Sequence, residues 1–183
     1  MSNQALQTEQ RSSRMGAWFA SLSAYNSGSL VGGWVYPLEH DSFESFYQAI
    51  KRVTRGHDEV AIHDYDNCPD MGEFPNHVDL YELIHAMEDS YLDNEALIKY
   101  MSNQHDYSAD LVQDAEEAYI TTADSFKDYA YEYAEEDIRN TVNAEAVQFV
   151  FNNFDYDGYA SDLEHDYTVI ELDNYDVAIF SNC

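Results

Sequence analysis

Basic residues are scarce: 8 Lys and Arg stand against 36 Asp and Glu in 183 residues, a formal net charge of -28. A surface of that sign is repelled by nucleic acid and by anionic membrane, so neither is expected as a ligand. Cysteine is nearly absent. Cys68 and Cys183 cannot build a disulfide framework, and neither sits in a metal-type pair, so a reducing, cytoplasmic setting is expected. No apolar run approaches the length of a membrane span, and residues 1–15 are too polar for a secretory signal. The catalytic signatures are missing as well. There is no P-loop, no G-x-G-x-x-G and no G-x-S-x-G, and the seven His residues show no zinc spacing such as H-E-x-x-H. His63-Asp64 falls on an expected strand, where a structural role suits it better than that of a base. With so many acids, carboxylate pairs arise by chance and carry no glycosidase signal. The chain is therefore expected to be no enzyme and to need no cofactor or metal.

What is present is enough apolar material to fold. Hydrophobic residues make up 45% and aromatics 15% of the chain, which argues against disorder despite the charge. The charge is focused. Residues 1–55 hold five bases and four acids, a net of +1, whereas residues 56–183 hold 32 acids and three bases, a net of -29. Self-repulsion on that scale opposes compaction. The natural partner of such a surface is a basic one, and large basic clefts in a cell are mostly those that hold DNA.

Residues 1–16 read as a flexible tail. Strands are expected over Ala17–Ala24 and Leu30–Tyr36, joined by turn residues Tyr25-Asn26-Ser27-Gly28. Asp41 or Ser42 can cap a helix to about Val53, with Phe43, Phe46, Tyr47, Ile50 and Val53 on one side. A strand over Glu59–Tyr65 completes an α+β unit at residues 17–66. Pro69, Gly72 and Pro75 mark a connector. The interval that follows has no proline, and no glycine until Gly158. Helices are expected near 78–89, 93–102 and 108–118, started near Asp79, Asp93 or Asn94, and Ser108. This defines a central helical unit at 67–110. Thr121-Thr122 reads as a break or short strand, and Asp124 or Ser125 caps a helix to about Ile138. Tyr167–Leu172 and Tyr175–Phe180 read as a hairpin with Asp173-Asn174 as a two-residue turn. The fold class is thus α+β, and residues 111–183 form a second α+β unit.

On the helix at 124–138, Asp124, Asp128, Glu132, Glu135 and Glu136 fall on one face, opposite Phe126, Tyr129, Ala130, Tyr133 and Ala134. No cation interleaves that face; Lys127 and Arg139 are the bases nearby. Neighbours three or four apart lie about 5–6 Å apart at Cβ, close to the roughly 6–7 Å between phosphates along a DNA strand. At one charge per ~1.7 Å of duplex axis, 29 net charges correspond to about 50 Å, or about 14–15 base pairs. The candidate partner-binding carboxylates are Asp64, Asp66, Glu88, Asp89, Asp93, Asp110, Asp114, Glu116 and Glu117, together with those five and Asp137. Many of the 16 tyrosines sit beside acids, as in Asp64-Tyr65-Asp66 and Tyr131-Glu132-Tyr133, and phenols add contact area and hydrogen bonds.

The segments Leu22-Ser-Ala-Tyr-Asn-Ser-Gly-Ser-Leu-Val-Gly-Gly-Trp34, Glu59-Val-Ala-Ile-His-Asp-Tyr65, Ala115-Glu-Glu-Ala-Tyr119 and Asp155-Tyr-Asp-Gly-Tyr-Ala-Ser-Asp-Leu163 occur in order. Over roughly residues 17–180 the chain resembles the ArdA-type antirestriction proteins of plasmids, conjugative transposons and phages. The resemblance implies an elongated, three-domain homodimer, with domains near 17–66, 67–110 and 111–183 and the dimer interface in the last. It implies a mimic of bent B-form DNA that occupies the DNA cleft in the methyltransferase core of Type I restriction-modification enzymes. Region 116–137 would hold the family's antirestriction motif, near the dimer interface. Two departures stand out: Gly33 occupies a position where an acid is expected, and the 1–16 extension looks extra.

Two other readings compete. Asn153 to Glu164 matches a calcium-binding EF-hand loop at several positions, with Asp155, Asp157 and Glu164 as the metal-ligating candidates. Position 1 of that loop is Asn, and there is no second loop. An acidic chaperone or inhibitor of another DNA-binding protein is the other. Histone-type chaperones usually carry long acid runs, and the longest here is Glu135-Glu136-Asp137.

Overall fold

The computed structural model describes residues 14–182, so most of the expected tail lies outside the described residues. The chain divides into two compact units, one to Gln113 and one from Asp114. The first begins with β1 (Gly16–Ser21), with Met15 already buried and Arg14 paired to Glu39 at 2.5 Å. A five-residue helix, α1 (Leu22–Asn26), follows directly, and then β2 (Gly32–Val35). The strand expected to reach Ala24 is therefore cut short. Ser21 is the reason: its Oγ accepts from the Ala24 amide at 3.2 Å, turning the chain into a helix that closes at Gly28 with φ +83°.

Helix α2 (Phe43–Val53) is capped by Ser42 and buries Phe46, Ala49 and Ile50. β3 (Val60–Asp66) pairs antiparallel with β1, as does β2, giving the order β2-β1-β3. Helix α3 (His77–Asp89) is capped by Asn76, upstream of the expected Asp79, and buries Leu80, Leu83, Ile84 and Met87. It meets the rest of the unit through rings: Phe19 of β1 lies 5.8 Å from Phe46, which lies 5.5 Å from Tyr81. Helix α4 (Asn94–Asn103) is capped by Asp93, and α5 (Ala109–Ala118) starts after Ser108, whose Oγ accepts from the Leu111 amide.

The second unit opens within α5 and contains β4 (Tyr119–Ala123), α6 (Phe126–Thr141), α7 (Val147–Asn153), α8 (Tyr156–Leu163), β5 (Tyr167–Glu171) and β6 (Val177–Ser181). Its sheet runs β4-β6-β5, all antiparallel. α6 and α8 pack on it through Phe126, Ala130, Ala160, Val177 and Ile179. The β5–β6 turn differs from the expected one. Tyr175 adopts φ +73° and its amide bonds the Leu172 carbonyl, so three residues, Asp173 to Tyr175, make the connection. A left-handed third position relieves the clash between an ordinary two-residue turn and the strand twist.

The expected α+β class is borne out. The calcium-loop reading is not. Residues 156–163 are helical, the Asp155 side chain caps Gly158 at 3.0 Å, and Asp157 is held by Lys127 at 2.5 Å. An EF-hand loop needs alternate residues converging on one point, which a helix cannot supply. Among the described residues no cluster of His, Cys, Asp and Glu is arranged to hold a metal.

Candidate partner-binding surface

The acidic helix α6 is built from its first residue. Ser125 accepts from the Asp128 amide at 3.1 Å and donates its hydroxyl proton to the Asp128 carboxylate at 2.6 Å. This reciprocal cap fixes the entry of the helix. Phe126, Ala130, Ala134 and Ile138 then recur at four-residue intervals and are buried. Burial of that stripe sets the rotation of the helix. Asp124, Asp128, Glu132 and Glu136, also four apart, are all exposed, and Asp137 is exposed beside them. Like charges at this spacing cost an isolated helix about 0.2–0.5 kcal/mol per pair, so here packing against the sheet dominates.

Glu135 is different. It is half-buried and accepts from the Arg139 guanidinium at 2.6 Å, while Arg139 also lies 5.2 Å over the Phe151 ring. The expectation of a cation-free face is thus corrected: Arg139 sits one turn on from Glu135, the spacing at which an acid and a base meet on a helix. The row with no cation is Asp128, Glu132 and Glu136 on the helix; Asp124, expected on the same face, lies ahead of the Ser125 cap and so outside α6, and Asp128 also takes the Ser125 hydroxyl. Lys127 is likewise committed. It bridges to Asp157 of α8, which also accepts from the Tyr131 hydroxyl at 2.6 Å. The hydrogen bond from Lys127, then that from Tyr131, holds the Asp157 carboxyl below its ordinary value; the same bond to Asp157 raises Lys127. The second unit holds 18 acids and two bases, a net of -16, and both bases are in ion pairs.

Tyrosines divide between core and surface. Tyr129 packs on the core of the second unit, and burial, with a hydrogen bond to Tyr167, pushes its phenol up. Tyr133 is exposed.

The other expected carboxylates are dispersed. Asp114 and Glu117 are exposed and Glu116 is half-buried on α5, in the second unit; Asp110 is exposed in the first turn of the same helix, in the first. Glu88 and Asp89 are exposed at the end of α3. Asp93 accepts from the Glu95 amide at 2.8 Å, so part of its role is to start α4. On β3, Asp64 is exposed, and half-buried Asp66 takes a hydrogen bond from Asn67 at 3.1 Å.

One arrangement was missed by reading the sequence. Asp64 lines a groove of about 760 Å³ with Tyr25, His63, Asp70 and Glu73. Tyr25 and His63 meet edge to face at 5.2 Å. The far wall is the Pro/Gly segment expected as a plain connector. It is tied to β3 by the Ile62 amide bonding the Glu73 carbonyl at 2.9 Å and by the Tyr65 hydroxyl donating to the Gly72 carbonyl at 2.7 Å. Burial, then Asp70, pushes the Tyr65 phenol up; burial pushes the Cys68 thiol up to about 12. The visible signal was Asp70-Met71-Gly72, in which Asp70 accepts from the Gly72 amide at 2.8 Å.

The model of the ArdA antirestriction proteins matches residues 17–175. The chain belongs to the ArdA family. Its match takes in both compact units, and so both the exposed carboxylates of α6 and the groove beside β3. No curated protein matches the chain. ArdA membership makes this an antirestriction protein, of a family of inhibitors rather than enzymes. Gly33, where an acid was expected, has a local explanation: a Cβ there would lie 3.1 Å from Val53 Cγ1, so the glycine lets α2 close on β2.

Proposed function

We propose that this ArdA protein is a stoichiometric inhibitor that enters the DNA-binding cleft of a Type I restriction-modification enzyme, at its methyltransferase core, in place of duplex DNA. The observation that carries the reading is the exposed helical row Asp128, Glu132 and Glu136, with exposed Asp124 just ahead of the cap, in a unit whose two bases are already paired. Exposed carboxylates one helical turn apart repeat at about the interval of strand phosphates, and they accept the same Lys and Arg donors. A net of -16 equals the charge of about eight base pairs of duplex. A homodimer would present two such arrays to the two half-sites that these enzymes read. The proposed setting is the bacterial cytoplasm, with the protected nucleic acid being incoming phage or plasmid DNA. The proposed subdivision is three domains, near 17–66, 67–110 and 111–183. No catalysis, cofactor or metal enters the mechanism.

Competition tests it. Purified protein displaces a fluorescent duplex carrying the recognition site from the methyltransferase core at near-stoichiometric amounts, and displacement weakens as salt rises. Failure to displace the duplex at low salt refutes the reading. Assaying methylation beside cleavage shows whether both activities are blocked.

A further inference from the structure

We propose that the groove between β3 and the 67–76 segment receives an arginine side chain of a basic protein partner. The inference rests on the proposed function only for the origin of that arginine. Three features select the occupant. Tyr25 is 58% exposed and offers a ring at the rim, with His63 set against it. Asp64, Asp70 and Glu73 line the same space, and among the described residues no Lys or Arg pairs with any of them. Asp64 and Asp70 each use Oδ1 for one local amide, which leaves their Oδ2 atoms and the Glu73 carboxylate open to an incoming donor. The walls do not depend on the occupant, because Ile62, Tyr65 and Asp70 already tie the segment down.

A guanidinium suits this combination. It is planar and weakly hydrated, it stacks on an aromatic face, and its fork donates to several carboxylate oxygens at once. A lysine ammonium holds its hydration shell more tightly and gains less from the ring. A volume of about 760 Å³ also accommodates the aliphatic stem and adjoining backbone. A phosphate backbone has no such recess, so the groove would add a selective contact to a surface otherwise read by charge alone.

The test uses the full chain labelled with nitrogen-15 and titrated at constant ionic strength with acetyl-Gly-Arg-Gly-amide, its lysine counterpart and its citrulline counterpart. The arginine peptide should saturate, with amide shifts confined to Tyr25, residues 62–65 and residues 70–73. The lysine peptide should bind at least five-fold more weakly and the citrulline peptide not at all. Tyr25→Ala, and separately the isosteric pair Asp64→Asn with Glu73→Gln, should each weaken binding at least five-fold without altering the remaining spectrum. Shifts spread over acidic positions of both units, equal binding of lysine, or variants that bind as tightly as the parent overturn the proposal. The duplex-displacement assay run in parallel separates the two readings. Displacement without groove saturation overturns the groove alone, and saturation without displacement overturns the inhibitor alone.

Discussion

His77 lies edge-on to Phe19 at 5.4 Å and beside Tyr47 at 6.3 Å, and burial holds its imidazole below the ordinary 6.5. The unfolded chain therefore takes the proton more readily than the folded one. The contribution to stability is complete above pH 6.5 and is lost as pH falls below it. Urea midpoints measured at pH 7.5 and 5.5 should differ less in a His77→Phe variant than in the parent; an unchanged difference excludes this histidine as the cause. Cys68 shows the opposite sign. Its thiol is pushed up to about 12 by burial, so it stays protonated, and the stability it lends disappears only as pH rises towards that value. Alkylation of the Cys68 peptide at pH 8 should be at least about 100-fold slower in the native protein than in urea. At Gly33, any Cβ would lie 3.1 Å from Val53, which would have to give by a few tenths of an ångström. Gly33→Asp should destabilise by about 1–3 kcal/mol in urea unfolding, from overpacking against Val53.

Among the elements, α2 and α6 were legible from the sequence because cap and apolar period agree. Ser42 leads into Phe46 and Ile50, and Ser125 leads into Phe126, Ala130 and Ala134. α7 and α8 were not legible. α7 buries none of its residues, so no apolar period marks it, and the Asp-rich start of α8 imitated a metal loop while serving as a helix cap. The candidate surface was half legible for a related reason. Spacing alone puts five acids on one helix face, but in the fold Asp124 falls ahead of the cap and Glu135 is taken by Arg139. The groove was hidden because its walls come from Tyr25, β3 and a segment that reads as a linker. Two outcomes belong to α6. Ser125→Ala should cost about 0.5–2 kcal/mol through the lost cap. Reversing Asp124, Asp128, Glu132 and Glu136 to Lys should weaken duplex displacement more than reversing exposed Glu145, Asp162, Glu164 and Asp166. Equal losses would mean that total charge, and not the row, is what the partner reads.

Over the whole molecule, -28 net charges repel one another, and neutral salt screens them. The melting temperature of the free protein should rise between 20 and 500 mM NaCl, roughly one Debye length of about 20 Å shrinking to about 4 Å. A flat or falling curve in calorimetry would mean that internal ion pairs outweigh the repulsion. The same screening lowers affinity for a basic partner, so stability and inhibition should respond to salt in opposite directions.

Lys127 and Arg139 are both spent on contacts inside their own unit. The remaining acids there must draw their neutralising charge from dissolved potassium, magnesium or polyamine ions held loosely nearby. Docking on a basic cleft would set those ions free, and their gain in disorder would drive the union. Potency inside a cell would then track how much magnesium and spermidine compete for the same carboxylates.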